Sequence, residues 1–342
     1  MNDAEHALTL ALPSQVVGTN IQQIGHLADE YARSHTFRDY QERKTANTKR
    51  RQLADLGLFS TYLGLAGVAR SVQALFEDPH AWAGVTFGLV EGFIKWQLQQ
   101  GYAIGSINVR LSTIRRYCHF AHKAGVLDST VFALIKAVEG YKHKEGRNID
   151  QTRPHTRTGA KKATPVSLNV GHALKLKRHP NTAKGRRDAL LMCLLLDHGL
   201  RCSEIAGLQL SQVDREQGLL TFYREKVDLV QTHRLTGDTM VALMDYLDRP
   251  RQEIDLAGPL FYGQQGKWLS TRAINDRVGR LGALVGLIGL SPHDCRHYWA
   301  TIASRNNTPI KNLQDAGGWS SPAMPLRYAE SAKIANEGVN LG

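Results

Sequence analysis

The chain is 342 residues long, enough for two domains that each bury a hydrophobic core. It is 42% hydrophobic and 22% charged, as soluble proteins are, and 43 Lys and Arg against 31 Asp and Glu leave a formal net charge of +12. Such a balance favours a polyanionic partner, either nucleic acid or an anionic membrane surface, but the longest clean apolar run, residues 189–196, is far too short to span a bilayer, which takes roughly 20 residues.

Residues 1–26 carry little charge beyond Asp3 and Glu5 and are weakly patterned, which predicts a flexible arm. No basic stretch leads into an apolar one there, so no signal peptide is expected and the protein is placed in the cytoplasm. Cys118, Cys193, Cys202 and Cys295 form no CxxC pair and read as reduced, mostly buried thiols rather than a zinc site.

Residues 27–140 are helical in character. Leu53, Leu56, Phe59, Tyr62 and Leu63 recur at helix spacing, as do Phe87, Val90, Phe93, Ile94 and Leu98. A further run has an apolar face at Ile107, Leu111, Ile114 and Phe120, and carries Arg110, Arg115 and Arg116 on its other face. The expectation is a bundle of about four helices with basic edges. Residues 141–165 hold Lys142, Lys144, Arg147, Arg153, Arg157, Lys161 and Lys162 against Glu145 and Asp150, and predict a basic linker that runs along a phosphate backbone.

A second domain is expected over 166–342, with a tail from about residue 329. A buried helix over 189–196 leads to Arg201, at a helix start, with Glu204 three residues on and on the same face. Runs at 219–223, 226–230 and 231–235 predict a short hairpin or three-stranded sheet holding Lys226, the only lysine between Arg201 and Lys267. A helix over 271–285 follows. Pro292 then opens a helix that sets His293 and Arg296 side by side near its N-terminus, where backbone N–H groups favour an anion. Ser321 and Pro322 open a last short helix with Tyr328. Each of these residues taken singly reads as an ordinary surface pair or core residue. Together, three cations, an imidazole, an indole (Trp319) and a phenol from separate elements suit a phosphodiester, whose transition state needs several fixed donors, a nucleophile and a proton donor.

The order Arg201, Lys226, His293-x-x-Arg296, Trp319, Tyr328 resembles the tyrosine recombinase family. The spacing carries the resemblance: 92 residues from Arg201 to His293, 23 from Arg296 to Trp319, 9 from Trp319 to Tyr328. The text of residues 292–301 is similar to the family's HxxRH…AT box. More loosely, 45–51 and 106–126 resemble its core-binding domain. The resemblance implies a mainly α fold with a small β-sheet. A helical core-binding domain and an α+β catalytic domain would form a C-shaped clamp on DNA. It implies Tyr328 as nucleophile, giving a 3′-phosphotyrosyl intermediate, with Arg201 and Arg296 clamping the non-bridging oxygens and Lys226 as general acid. His293 would bond the phosphate or assist proton transfer, Trp319 would donate its indole N–H and pack the site, and Glu204 would orient Arg201. Histidine is commoner in the family at the position of Trp319, tryptophan occurring in Cre-like members, and Gly317 stands where leucine is usual.

The resemblance also implies double-stranded DNA with inverted-repeat sites as partner and a homotetramer on two sites, monomer or dimer off DNA, in the bacterial cytoplasm or nucleoid. Neither metal nor other cofactor is expected, since three cationic side chains can take a metal's role as clamp. Candidate DNA contacts are Lys49, Arg50, Arg51, Arg110, Arg115, Arg116, Lys142, Lys144, Lys161 and Lys162. A type IB topoisomerase and a non-catalytic DNA-binding protein on the same scaffold remain as alternatives.

Overall fold

A computed structural model describes residues 20–159, 164–248, 257–263 and 266–332. The chain divides into two compact units, residues 1–161 and 162–342.

In the first unit the described helices are α1 (Ile21–Glu42), α2 (Ala46–Leu65), α3 (Val72–Glu77), α4 (Phe87–Gln99), α5 (Ile104–Lys123), α6 (Ser129–Ala137) and α7 (His143–Thr152). The expected arm is corrected at its end: Asn20 accepts the Gln22 N–H and starts α1 six residues earlier than expected. In α5, Ile107, Leu111, Ile114, Cys118 and Ala121 are buried at spacings of three and four, as a helix with one core face requires. The centre is aromatic. Trp82, fully buried, lies between Phe59 and Tyr117 and donates its indole N–H to the Leu75 carbonyl at 2.9 Å.

The basic stretch from 141 is not simply a linker, which is a second correction. Glu145 accepts the Lys142 N–H at 2.8 Å and caps α7, and Gly146 is buried beside Ile104. Arg153 then donates to the carbonyls of Leu98 (3.2 Å) and Tyr102 (3.0 Å), and Thr158 N–H to that of Gly101, which hold 141–158 to the helical unit.

The second unit contains α8 (Val170–Lys177), α9 (Ala183–Asp197), α10 (Cys202–Ala206), β1 (Val213–Asp214), β2 (Leu219–Arg224), β3 (Leu229–Arg234), α11 (Gly237–Leu247), α12 (Thr271–Leu284), α13 (Pro292–Arg305), α14 (Ile310–Gly317) and α15 (Ala323–Ala332). Residues 190–196 of α9 are buried all round and form the middle of its core. The sheet is antiparallel in the order β1-β2-β3, with Leu219 opposite Arg234 and Arg224 opposite Leu229. Leu220, Phe222 and Arg224 share the buried face, as the two-residue strand period dictates. A strand over 226–230 was expected; instead residues 225–227 form a 3₁₀ turn and Asp228 takes the left-handed conformation (φ 49°), so pairing resumes at Leu229.

Candidate active site

The site is built on the end of α14. A helix C-terminus leaves carbonyls without intrahelical partners and concentrates negative potential. Gly318 closes α14 with φ 57° and donates its N–H to the Asp315 carbonyl. A Cβ there would stand 2.5 Å from Arg224 Cδ, so glycine is required both for the turn and for the approach of this arginine.

Three guanidinium groups from three elements converge on these carbonyls. Arg201, at the N-cap of α10, donates to the Gly318 carbonyl at 3.1 Å. Arg224, at the end of β2, donates to the Ala316 carbonyl at 2.7 Å and the Gly317 carbonyl at 3.2 Å. Arg296, in the first turn of α13, bonds the carbonyls of Gly317 and Gly199. Its place is set by Pro292 at the helix start and by Asp294, which accepts the Ser291 N–H (2.8 Å) and hydroxyl (2.6 Å).

Glu204 is the carboxylate bonded within this group. It accepts from the Arg201 side chain and backbone N–H, both at 2.7 Å, and from Arg224 at 3.0 and 3.1 Å. Three cations against one anion leave an excess positive charge in a mostly buried pocket. Burial, then Arg201 and Arg224, push the Arg296 guanidinium down to about 9. It stays protonated at neutral pH, and a bound anion would relieve that strain. The Arg224 side chain is fully buried and all three of its nitrogens are bonded within the protein. Arg201 and Arg296 each use two of the five N–H groups a guanidinium carries in side-chain bonds among the described residues. Arg201 and Arg296 therefore keep unused donors among the described residues, while Arg224 is held wholly by the protein. The sequence reading missed it. The signal was there: Arg224 shares the strand parity of Leu220 and Phe222, and so points into the core.

Tyr328, on α15, is 3% exposed. Burial raises its phenol pKa, against the pull of Arg296 and Arg327. Its ring lies 5.6 Å from that of Trp319 and 5.0 Å, edge-on, from His297. Trp319 in turn stacks on the Arg296 guanidinium at 4.6 Å. Gly317 explains how an indole fits: a Cβ at 317 would collide with the six-membered ring of Trp319. The small residue where leucine is usual makes room for the large one where histidine is commoner. His293 is exposed, and its Nε2 is 3.0 Å from Nε2 of His297. His297, quoted in the sequence motif but given no role, thus lies between His293 and the nucleophile candidate. Burial, then His293, lower its pKa, so it is neutral at neutral pH.

Lys226 is exposed on the β2–β3 turn, and no hydrogen bond or ion pair joins it to the arginine cluster among the described residues. Of the candidate DNA contacts, Arg51 and Arg110 are brought together on the buried carboxylate of Asp55, at 2.9 and 4.0 Å. Arg115 is bonded to the Lys136 carbonyl, which ties α5 to α6. Arg116, Arg50, Lys142 and Lys144 are exposed and Lys49 is half-buried; Lys161 and Lys162 lie outside the described residues, as does the tail from 333.

Residues 169–334 match the family described as the phage integrase family. Among curated proteins, the chain is 24% identical over 242 residues to tyrosine recombinase XerC of Thermodesulfovibrio yellowstonii, covering 68% of this chain and 73% of that one. It is 28% identical over 222 residues to XerC of Pseudomonas aeruginosa, covering 63% and 73%. Among solved structures it is similar to the Tn1549 transposon integrase in complex with transposon right end DNA (TM-score 0.60, 15% identity, 86% of this chain and 94% of that one). It is also similar to a lambda integrase dimer bound to a core site (TM-score 0.58, 15% identity, 90% and 99%). At that identity the structures speak for the fold alone. The family match covers the arginine cluster, Trp319 and Tyr328 together: residues 169–334 are a domain of the phage integrase family, and the chain is similar to tyrosine recombinases.

Proposed function

We propose that this protein cleaves and rejoins double-stranded DNA at specific sites through a covalent bond between Tyr328 and a 3′-phosphate. The observation that carries this reading is the buried phenol beside three guanidinium groups gathered on the end of α14, two of which share the Glu204 carboxylate. Arg201 and Arg296 hold the non-bridging oxygens, for which planar two-pronged donors suit better than ammonium groups. The Tyr328 oxygen attacks phosphorus, the bond to the 5′-oxygen breaks, and Lys226 supplies the proton that leaves with the 5′-hydroxyl. The phenol's proton passes to the His293–His297 pair, whose inner member is neutral and lies against the tyrosine ring. Trp319 cannot act as acid or base and keeps Arg296 and Tyr328 in place by stacking. Rejoining reverses the steps, and because one phosphodiester is exchanged for another, no ATP is consumed. Exchange between two duplexes requires four protomers on two inverted-repeat sites. The candidate basic residues of the helical unit, with Arg51 and Arg110 fixed by Asp55, hold the flanking duplex.

The test is covalent trapping on a nicked duplex carrying the protein's own site, found by sequencing genomic fragments pulled down with Tyr328→Phe protein. Wild type should give a phenol-resistant protein–DNA adduct; Tyr328→Phe should give none while binding DNA with unchanged affinity. No wild-type adduct, or an equal yield from the variant, refutes the reading.

A further inference from the structure

The turn that carries Lys226 is tied to the rest of the second unit at its two roots. Residues 225–227 form the 3₁₀ turn, Asp228 is left-handed, and the Tyr223 hydroxyl donates to Asp228 Oδ1 at 2.8 Å, so the turn is braced within itself. Its apolar residues Leu229 and Val230 are exposed and take no part in the core. Polar side chains of the flanking strands supply the anchors instead. Arg224 ends β2, and Gln231 stands on β3 opposite Phe222. Gln231 Nε2 donates to the Asp315 carbonyl at the end of α14, and its Oε1 accepts from Arg224 Nε. His233, the next residue on the same face of β3, hydrogen-bonds the Ala316 backbone. Arg224 itself bonds the carbonyls of Ala316 and Gly317. The turn with Lys226 is thus anchored on the same helix end as Arg201 and Arg296.

We propose that Gln231 is a positioning residue for Lys226: by tying β3 to the Asp315 carbonyl and to Arg224, it sets the reach of the turn towards the 5′-oxygen. A primary amide suits the place, since one neutral group both donates to a carbonyl and accepts from a guanidinium. The arginines do not depend on it. Without Gln231, Arg201, Arg224 and Arg296 keep their own bonds to the carbonyls of Gly318, Ala316 and Gly317. Its loss therefore frees the β3 root of the turn while the phosphate stays held. Misplacing a catalytic group by about 1 Å costs up to about 10²-fold in rate. The inference rests on the proposed role of Lys226 as general acid and adds the residue that aims it.

The test measures single-turnover adduct formation by the full chain on two nicked duplexes that differ in one atom, the 5′-bridging oxygen of the reacting phosphate or sulfur in its place. Breaking the P–S bond releases a thiolate, which needs no proton because a thiol's pKa is about 8.5; the 5′-alkoxide needs one. Gln231→Met should slow the oxygen substrate at least about tenfold and the sulfur substrate less than about threefold, with DNA affinity unchanged. Lys226→Ala should show the same selectivity, with a loss of about 10²-fold or more on oxygen. Adding Gln231→Met to Lys226→Ala should slow the oxygen substrate no further, since both act through one group. Both rates are read in one protein sample, so an inactive fraction cancels in their ratio. Gln231→Glu, which keeps the acceptor for Arg224 and loses the donor to Asp315, is the second variant and should show the same selectivity. Equal loss on both substrates, no loss on oxygen, or a multiplied loss in the double variant overturns the proposal. Lys226→Ala slowed equally on both substrates sinks the general-acid reading itself, and no adduct from wild type sinks the recombinase reading.

Discussion

Arg224 offers the sharpest test of how this site is held together. Substituting it with Met keeps much of its volume but removes a buried charge whose donors reach Gln231, both oxygens of Glu204, and the carbonyls of Ala316 and Gly317. Removing one member of a buried ion pair costs roughly 3–5 kcal/mol, because the partner stays buried and charged. Here Glu204 keeps Arg201 and the Gly317 carbonyl keeps Arg296, which places the loss near the lower end, about 3 kcal/mol. That is a large part of a typical total of about 5–15 kcal/mol. The Glu204→Gln, Arg224→Met double variant removes the stranded charge as well. It should therefore be less destabilised than the sum of the two single variants, by at least about 1.5 kcal/mol in urea denaturation. The adduct rate of Arg224→Met should fall about 10²-fold even where the protein is folded, because Arg201 and Arg296 rest on the same turn. Additivity within about 0.5 kcal/mol, or an adduct rate within a factor of three of wild type, would refute the account of Arg224 as the support of the clamp.

Two further outcomes follow from the packing. Gly317→Leu alone should abolish adduct formation by displacing Trp319, whereas Gly317→Leu with Trp319→His should recover activity, since the leucine then fills the space the indole held; a double variant no better than the single one contradicts that exchange. His198 is buried, bonded to Thr239 at 3.1 Å, and burial pulls its pKa down to about 4. It is neutral when folded and takes up a proton on unfolding below its ordinary value of about 6.5. Its contribution is thus present above about pH 6.5 and lost as pH falls through about 4, about 3 kcal/mol in all. Denaturant midpoints measured from pH 7 to 4 should fall less steeply for His198→Gln than for wild type; parallel curves reject this.

The amino-acid sequence by itself pointed to side chains that the fold brings together. Arg201, Arg296, Trp319 and Tyr328 were legible as a group by their order and spacing, and because Pro292 and the i, i+3 spacing of His293 and Arg296 specify a helix start locally. The buried helix at 190–196 was legible for a similar reason, its apolar run being continuous. Local pattern failed where distant segments supply the partners. Arg224 drew no role from the sequence, because the carbonyls it bonds, at the end of α14, lie 92 and 93 residues further along the chain. His297 gained a role only when α15 set Tyr328 beside its ring. The basic stretch after Tyr141 read as a linker because its partners, the carbonyls of Leu98, Gly101 and Tyr102, lie some 40 to 60 residues earlier in the chain. Hydrogen bonds between such remote segments leave no periodic trace in sequence. The tertiary structure alone decided which arginines keep unused donors among the described residues and which are held wholly by the protein, since that depends on which donors the folded chain has already satisfied.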